Sequence, residues 1–225
     1  MQILFEDEHL IAVNKPSGIP SNTLESSSID SPSMEELVAR LYAPNPAFLL
    51  HRLDVGTSGV LLFAKSEDAF EKIRDLFRLK KIKKIYWAYS EEELKQELPL
   101  EITHSIAHHP KSKKRMVVIE PDKMAKRPQT FYRGNPIPAH SRILSSTPVE
   151  WLGKPLFRYE VEIITGVMHQ IRVHSRFVGI PLIGDPIYGT KNEDPISSFP
   201  RLGLHAKKVE FKLGNYLYQI EAPGP

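Results

Sequence analysis

Apolar positions recur along this chain with two different periods, and the places where the period changes mark its predicted elements. Ile3 to Phe5 and Leu10 to Asn14 read as two short strands around the polar turn Glu6 to His9. Lys15-Pro16-Ser17-Gly18 then forces a turn, and the serine-rich stretch from Ser21 to Ser33 reads as an exposed loop. Ser33 followed by Glu36 is a capping-box signature, with Leu37, Val38 and Leu41 as the apolar stripe of a helix ending near Tyr42, before Pro44 and Pro46. A second helix is capped by Ser66, carries Glu67 and Asp68 in its first turn, and repeats Phe70, Ile73 and Phe77 at helical spacing.

The strand signals resume beyond it. Ile85 to Tyr89 reads as a strand bearing Tyr86 and Trp87, and Glu91 to Glu97 as an acidic, solvated connection. Leu100 to Trp151 holds short β-like pieces such as Met116 to Ile119, interrupted by prolines, and Pro128 to Pro148 reads as a loop. Phe157, Tyr159, Val161 and Ile163 alternate with Arg158, Glu160 and Glu162, the period of a half-buried strand. A helix from His169 to Val178 stops at Gly179 and Pro181, and a closing hairpin pairs Val209 to Leu213 with Leu217 to Ile220 around Gly214-Asn215. Strands outnumber helices without regular alternation, which predicts an α+β fold rather than a doubly wound one. Neither repeats nor a linker composition divide the chain, so one domain over residues 1–225 is expected.

The stretch LLHRLDVGTSGVLLFAK, Leu49 to Lys65, stands apart. It sets Asp54 on a Gly/Thr/Ser/Gly turn at the mouth of the apolar run Val60 to Ala64, which suits a strand buried on both faces. Two readings of Asp54 follow. It shapes the turn through backbone hydrogen bonds, or it is a carboxylate aimed by a rigid scaffold.

Charge sharpens the picture. The formal net charge is only +3, yet the cations are bunched: Arg78, Lys80, Lys81, Lys83 and Lys84; then Lys111, Lys113, Lys114 and Arg115; then Lys123, Lys126 and Arg127. Such clusters are either solvated faces or the footprint of a phosphate-backbone partner, and three of them favour nucleic acid. With no cysteine, disulfides, thiol nucleophiles and thiolate zinc sites are excluded. Polar residues break any signal-like apolar start, and no run reaches membrane-spanning length, so a cytoplasmic protein without a membrane partner is expected.

Other chemistries find little support. His169 and His174 are five apart, off the i, i+4 geometry of a helical zinc pair, and His104, His108 and His109 lie among lysines, so the histidines read as basic-surface residues and no metal is expected. Phosphate-binding glycine loops, dinucleotide fingerprints and nucleophilic-serine elbows are all missing.

The residues around Asp54 do match a known pattern. HRLDVGTSGVLLFAK resembles the signature of the RluA group of pseudouridine synthases, H-R-L-D-x-x-T-S-G with Ala-Lys a few residues on. NKPSGIP (Asn14 to Pro20) is similar to that group's amino-terminal turn, KKIYWAY (Lys83 to Tyr89) to its second motif, and TGVMHQIRVHSRFVGIPLIGDPIYG (Thr165 to Gly189) to its third. The resemblance covers nearly the whole chain, with its motifs in the family's order. One departure is Val167, where the family commonly has arginine; another is that the motifs begin near the start of the sequence, so no separate RNA-binding domain is expected.

The resemblance implies a mixed, largely antiparallel central sheet flanked by helices, with an active-site cleft across the sheet. It implies isomerisation of uridine to pseudouridine in structured ribosomal or transfer RNA, without redox change and without a cofactor. Asp54 matches the catalytic aspartate, and a carboxylate can add to base or sugar or assist departure of the uracil. Arg172 matches the residue that pairs with it, suited to a bidentate hold that keeps it ionised. Tyr86 matches the residue that stacks on the uracil and is a candidate acceptor for the C5 proton. Arg52 matches the side chain that fills the place of the flipped base. Lys15 and Lys84 are candidates for phosphate contacts. A monomer is the default expectation. Two rivals stand beside this reading: a non-catalytic RNA-binding or ribosome-assembly factor, to which Val167 lends weight, and a glycoside hydrolase, which would need a second opposed carboxylate that the motifs do not supply.

Overall fold

The computed structural model describes residues 1–23, 32–120, 131–151, 153–189 and 200–225. Two compact units make up the chain, Met1–Tyr86 with Leu204–Pro225, and Trp87–Gly203. Lys123, Lys126 and Arg127, and most of the serine-rich stretch, lie outside the described residues.

The first unit is built on β1 (Gln2–Glu6), β2 (Leu10–Lys15), β4 (Ser58–Ala64) and β12 (Leu204–Leu213), side by side in that order. β3 (Phe48–Leu49) pairs with β4, and β13 (Tyr216–Glu221) with β12. β1 with β2, β2 with β4, β3 with β4 and β12 with β13 run antiparallel, whereas β12 runs parallel to β4. That parallel register brings Ala206 opposite Gly59, so close that a Cβ on Gly59 would stand 2.2 Å from the Ala206 carbonyl oxygen. With φ at +110° as well, this position takes glycine alone.

Every residue of β4 is buried, as a doubly covered strand requires. On one face Val60, Leu62 and Ala64 meet Ala69 and Ile73 of α2 (Glu67–Arg78), with Leu10, Val209 and Phe211 completing the cluster. Burying a side chain the size of Ile73 stabilises by about 1.5–3 kcal/mol. The helix begins where expected because the Ser66 hydroxyl accepts from the Ala69 N–H at 3.2 Å. α1 (Met34–Tyr42) starts at the full capping box of Ser33 and Glu36. β5 (Lys83–Ser90) leads the chain out of this unit, the boundary falling after Tyr86.

In the second unit β11 (Lys154–Ile163), β10 (Ser141–Trp151) and β6 (Leu100–Ile102) are neighbours, both pairings antiparallel. A separate three-stranded sheet has the order β8 (Met116–Val118), β7 (Ile106–His108), β9 (Arg133–Ile137). The third helix, α3, covers Gln170–Phe177. Tyr159, Val161 and Ile163 are buried, in line with the alternation along that strand.

One expectation fails here. Of the predicted loop Pro128 to Pro148, residues 133–137 form β9 and residues from 141 onward belong to β10. The prolines misled because β9 is an edge strand, paired only with β7 within its sheet, and an edge tolerates Pro136. A second correction concerns the histidines. His174, read as a basic-surface residue, is 1% exposed.

Candidate active site

Asp54 opens a tight turn, its carbonyl accepting from the Thr57 N–H at 3.0 Å. The backbone around it is held by the Asn14–Ser21 segment. The Ser21 hydroxyl both donates to the Leu53 carbonyl (2.8 Å) and accepts from the Leu53 N–H (2.9 Å). Gly18 N–H donates to the Val55 carbonyl (2.8 Å), and the Ser17 hydroxyl to the Gly56 carbonyl (2.7 Å). These bonds fix the loop on both sides of Asp54, and none of them uses a side-chain atom of Asp54.

Lys15 completes the clamp. It is fully buried, and its ammonium donates to the carbonyls of Pro16 (3.0 Å), Val55 (3.1 Å) and Thr57 (2.8 Å). The expected phosphate contact is therefore revised: a lysine committed to three carbonyls beneath the surface braces the loop rather than reaching for RNA. Lys15→Met keeps the length and removes the donors, leaving buried acceptors unpaired. It is expected to lower stability by about 2 kcal/mol, read from denaturant midpoints, and to depress turnover more than RNA affinity.

His51 supports the same loop from the other end. Its Nε2 accepts from the Leu62 N–H of β4 at 3.2 Å, and its ring lies against Phe77. Burial, reinforced by the charge of Lys84, pushes its pKa down to about 3, with a backbone bond at Arg52 acting the other way. Lys84, also desolvated, is lowered to about 8 and lies over the Phe77 ring at 6.0 Å. Arg52 is exposed. Tyr86, two residues along β5 from Lys84, is buried, and burial followed by the Asp54 charge drives its phenol pKa up. The hydroxyl thus stays protonated at physiological pH, and it feels the Asp54 carboxylate. The first unit so brings together Asp54, Tyr86, Arg52, Lys84 and Lys15.

Arg172 belongs to the second unit, on α3. Its bidentate grip falls on Asp185, Nε to Oδ2 at 2.7 Å and Nη2 to Oδ1 at 2.8 Å, with both side chains almost wholly buried. Burial alone would raise the Asp185 pKa, but the guanidinium and the N–H groups of Ile187 and Tyr188 hold it below the usual carboxylate range. The sequence reading named Asp54 as the partner of this fork; the Nε–Nη2 edge grips Asp185, an acid it did not name. Sequence reasoning missed Asp185, although an acid in the otherwise apolar GIPLIGDPIYG was a visible signal.

The turn before α3 is knit by Gln170, whose Oε1 accepts from the Thr165 hydroxyl and the Val167 N–H while Nε2 donates to the His140 carbonyl and Ser141 hydroxyl. Val167, at the usually basic position, packs against the cluster of Ile106, Met116, Val118 and Tyr188. Apolar surroundings account for an apolar residue there. His174 accepts through Nδ1 from Ser141, leaving Nε2–H to donate to the His104 carbonyl. Burial lowers it to about 4, the His104 carbonyl bond opposing.

His51 and His174 thus stay neutral in the folded chain where an unfolded histidine, near 6.5, would protonate. Their contribution to stability is complete above that value and is lost as pH falls from 6.5 towards 4 and then 3. Thermal denaturation across that window should show stability falling by up to about 1.4 kcal/mol per pH unit for each histidine. His174→Gln should make the decline shallower.

Among the described residues, no group of three or more potential metal-binding side chains is found, and no helix is long and apolar enough to cross a membrane.

Comparison with known proteins agrees with this geometry. The family model described as RNA pseudouridylate synthase matches residues 9–176. Ribosomal large subunit pseudouridine synthase D of Nitrosomonas europaea is 32% identical over 93% of this chain, which spans 57% of that protein's length. An uncharacterized RNA pseudouridine synthase of Zymomonas mobilis is 32% identical over the whole chain and 94% of its own length. The dual-specificity RNA pseudouridine synthase RluA of Salmonella typhi is 33% identical over 92% of this chain and 84% of its own. In fold, the chain matches human RNA pseudouridylate synthase domain containing 1 with a TM-score of 0.78 and 23% identity, over all of this chain and 83% of the other. A mixed, largely antiparallel sheet, a clamped aspartate loop and relatives of one kind along the chain's whole length converge: the chain belongs to the RNA pseudouridylate synthases, a family of isomerases, and to their RluA-type branch.

Proposed function

We propose that this chain isomerises particular uridines in structured ribosomal or transfer RNA to pseudouridine, with Asp54 as the catalytic carboxylate. The observation that carries this reading is the clamped loop: bonds from Lys15, Ser17, Gly18 and Ser21 fix the backbone from Leu53 to Thr57, and the Asp54 carboxylate on that loop lies close enough to Tyr86 for its charge to raise the phenol's pKa.

The reaction breaks N1–C1′, turns the base, joins C5 to C1′ and releases the C5 proton, while the freed N1 takes up a proton. Asp54 adds to the base or sugar, or assists departure of the uracil. Arg172 supplies the cation that keeps it ionised, from a guanidinium already oriented by Asp185. Tyr86 stacks on the uracil. Because its phenol is held protonated, it serves better as a platform and hydrogen-bond donor than as the acceptor of the C5 proton. Exposed Arg52 takes the place of the flipped base, at a flipping cost of about a few kcal/mol. Lys84 and the exposed cations at Lys111, Lys113, Lys114 and Arg115 contact phosphates, which position RNA without reading its sequence. The protein acts in the cytoplasm as a monomer, without a cofactor.

The rival reading, a non-catalytic factor, rested on Val167; the packing of that residue against an apolar cluster gives its valine a structural reason. Pseudouridine mapping in total RNA from cells with and without the protein tests the assignment. One or a few sites should vanish without it and return with the wild-type chain, and an unchanged map contradicts the proposal.

A further inference from the structure

Tyr188 is absorbed by none of the roles above, yet it touches both Arg172 and the carboxylate that grips it. We propose that Tyr188 is a positioning residue for Arg172, linking its guanidinium to the strand that carries the exposed basic hairpin. The proposal rests on the reading that Arg172 serves the reaction.

Three contacts carry it, all within the second unit. First, Asp185 accepts at Oδ1 from the N–H groups of Ile187 (2.9 Å) and Tyr188 (3.0 Å), a local turn that folds Tyr188 back onto the arginine's carboxylate partner. Gly189 closes that turn, its N–H donating to the Asp185 carbonyl, and a Cβ there would lie 2.6 Å from the same oxygen. Second, the Arg172 guanidinium lies over the Tyr188 ring at 5.1 Å, a stacking that fixes the plane of the fork. Third, the hydroxyl accepts from the Met116 N–H at 2.7 Å and stands 3.0 Å from His169 Nδ1. The hydroxyl thus bridges the Met116 backbone and the His169 ring.

His169 is the N-cap of α3, at a left-handed φ of 58°, and it precedes Arg172 by one helical turn. Tyr188 therefore holds the guanidinium by its face, its acceptor through the backbone, and the start of its helix through the hydroxyl. Met116 directly follows Arg115, whose guanidinium is 6.0 Å from the same ring. The hydroxyl thus sits one residue from the exposed run Lys111 to Arg115, where RNA phosphates are expected to press. A tyrosine that merely satisfied the Met116 N–H would need neither the stacked guanidinium nor the bond to His169.

The test uses the full chain with Tyr188→Phe and, separately, His169→Gly, since glycine adopts left-handed backbone readily and has no side chain to reach the phenol. Two quantities are read: the single-turnover rate constant alongside RNA affinity, and the water exchange of the Arg172 Nε–H proton by NMR. Both variants should lose about 10- to 100-fold in rate constant with RNA affinity kept, and Nε–H exchange should quicken. Folded variants with wild-type rate and exchange overturn the proposal. So does a loss confined to RNA affinity, which would make Tyr188 part of the docking surface instead. Should Tyr188→Phe fail to fold, His169→Gly carries the same comparison. Should the wild-type chain prove unable to isomerise uridine, the function falls separately, and the Nε–H exchange alone decides whether Tyr188 holds Arg172.

Discussion

Asp54→Asn is expected to bind RNA as the wild type does and to make no measurable product. Asparagine keeps the size of the side chain, and the bonds that hold the backbone of Leu53, Val55, Gly56 and Thr57 do not use the carboxylate it replaces. It cannot carry the negative charge that the reaction consumes. Removing a nucleophile of this kind costs on the order of 10⁴-fold or more in rate, whereas affinity for RNA is dominated by phosphate contacts elsewhere. Nucleoside analysis of RNA incubated with a stoichiometric excess of the variant checks the first half, and gel-shift titration the second. Substantial product from the variant would return Asp54 to the role of a turn residue.

Arg172→Met should be the next most damaging change, in two separable ways. It leaves the Asp185 carboxylate buried without its cation, and breaking a pair this buried costs about 3–5 kcal/mol of stability. It also removes the charge proposed to steady the reactive carboxylate, so turnover should fall by about 10²–10³-fold at temperatures where the variant is still folded, with a smaller loss of RNA affinity. Arg172→Lys separates the two, since it restores charge but not the planar fork. A folded Arg172→Met with an unchanged rate constant removes Arg172 from the chemistry and leaves it a structural partner of Asp185.

The elements whose periods were clean could be read before the structure was known. β4 announces itself as an unbroken apolar run, α1 and α2 by Ser33 and Ser66, and the closing hairpin by Gly214-Asn215. β9 was not legible because Pro136 looks like loop punctuation until an edge position makes it harmless. The candidate site divides along the same line. Asp54 and Tyr86 stand in motifs whose local pattern is specific. Lys15 was misread because a lysine beside a turn resembles any surface lysine, and only packing shows its ammonium on three carbonyls 1 to 42 residues away in sequence. Asp185 and Tyr188 went unnoticed for a similar reason. Their meaning lies in what they touch on α3, 13 to 19 residues earlier, and no periodicity encodes such pairings.

Release of the hydrogen on C5 of uridine is the most direct measure of whether this chain performs the chemistry through Asp54. RNA labelled with tritium at C5 should lose its label to water when mixed with excess wild-type protein, because C5 must shed that atom to join C1′. With Asp54→Asn, bound to the same RNA, the label should stay in place. Release by the variant at the wild-type rate would contradict the assignment of Asp54.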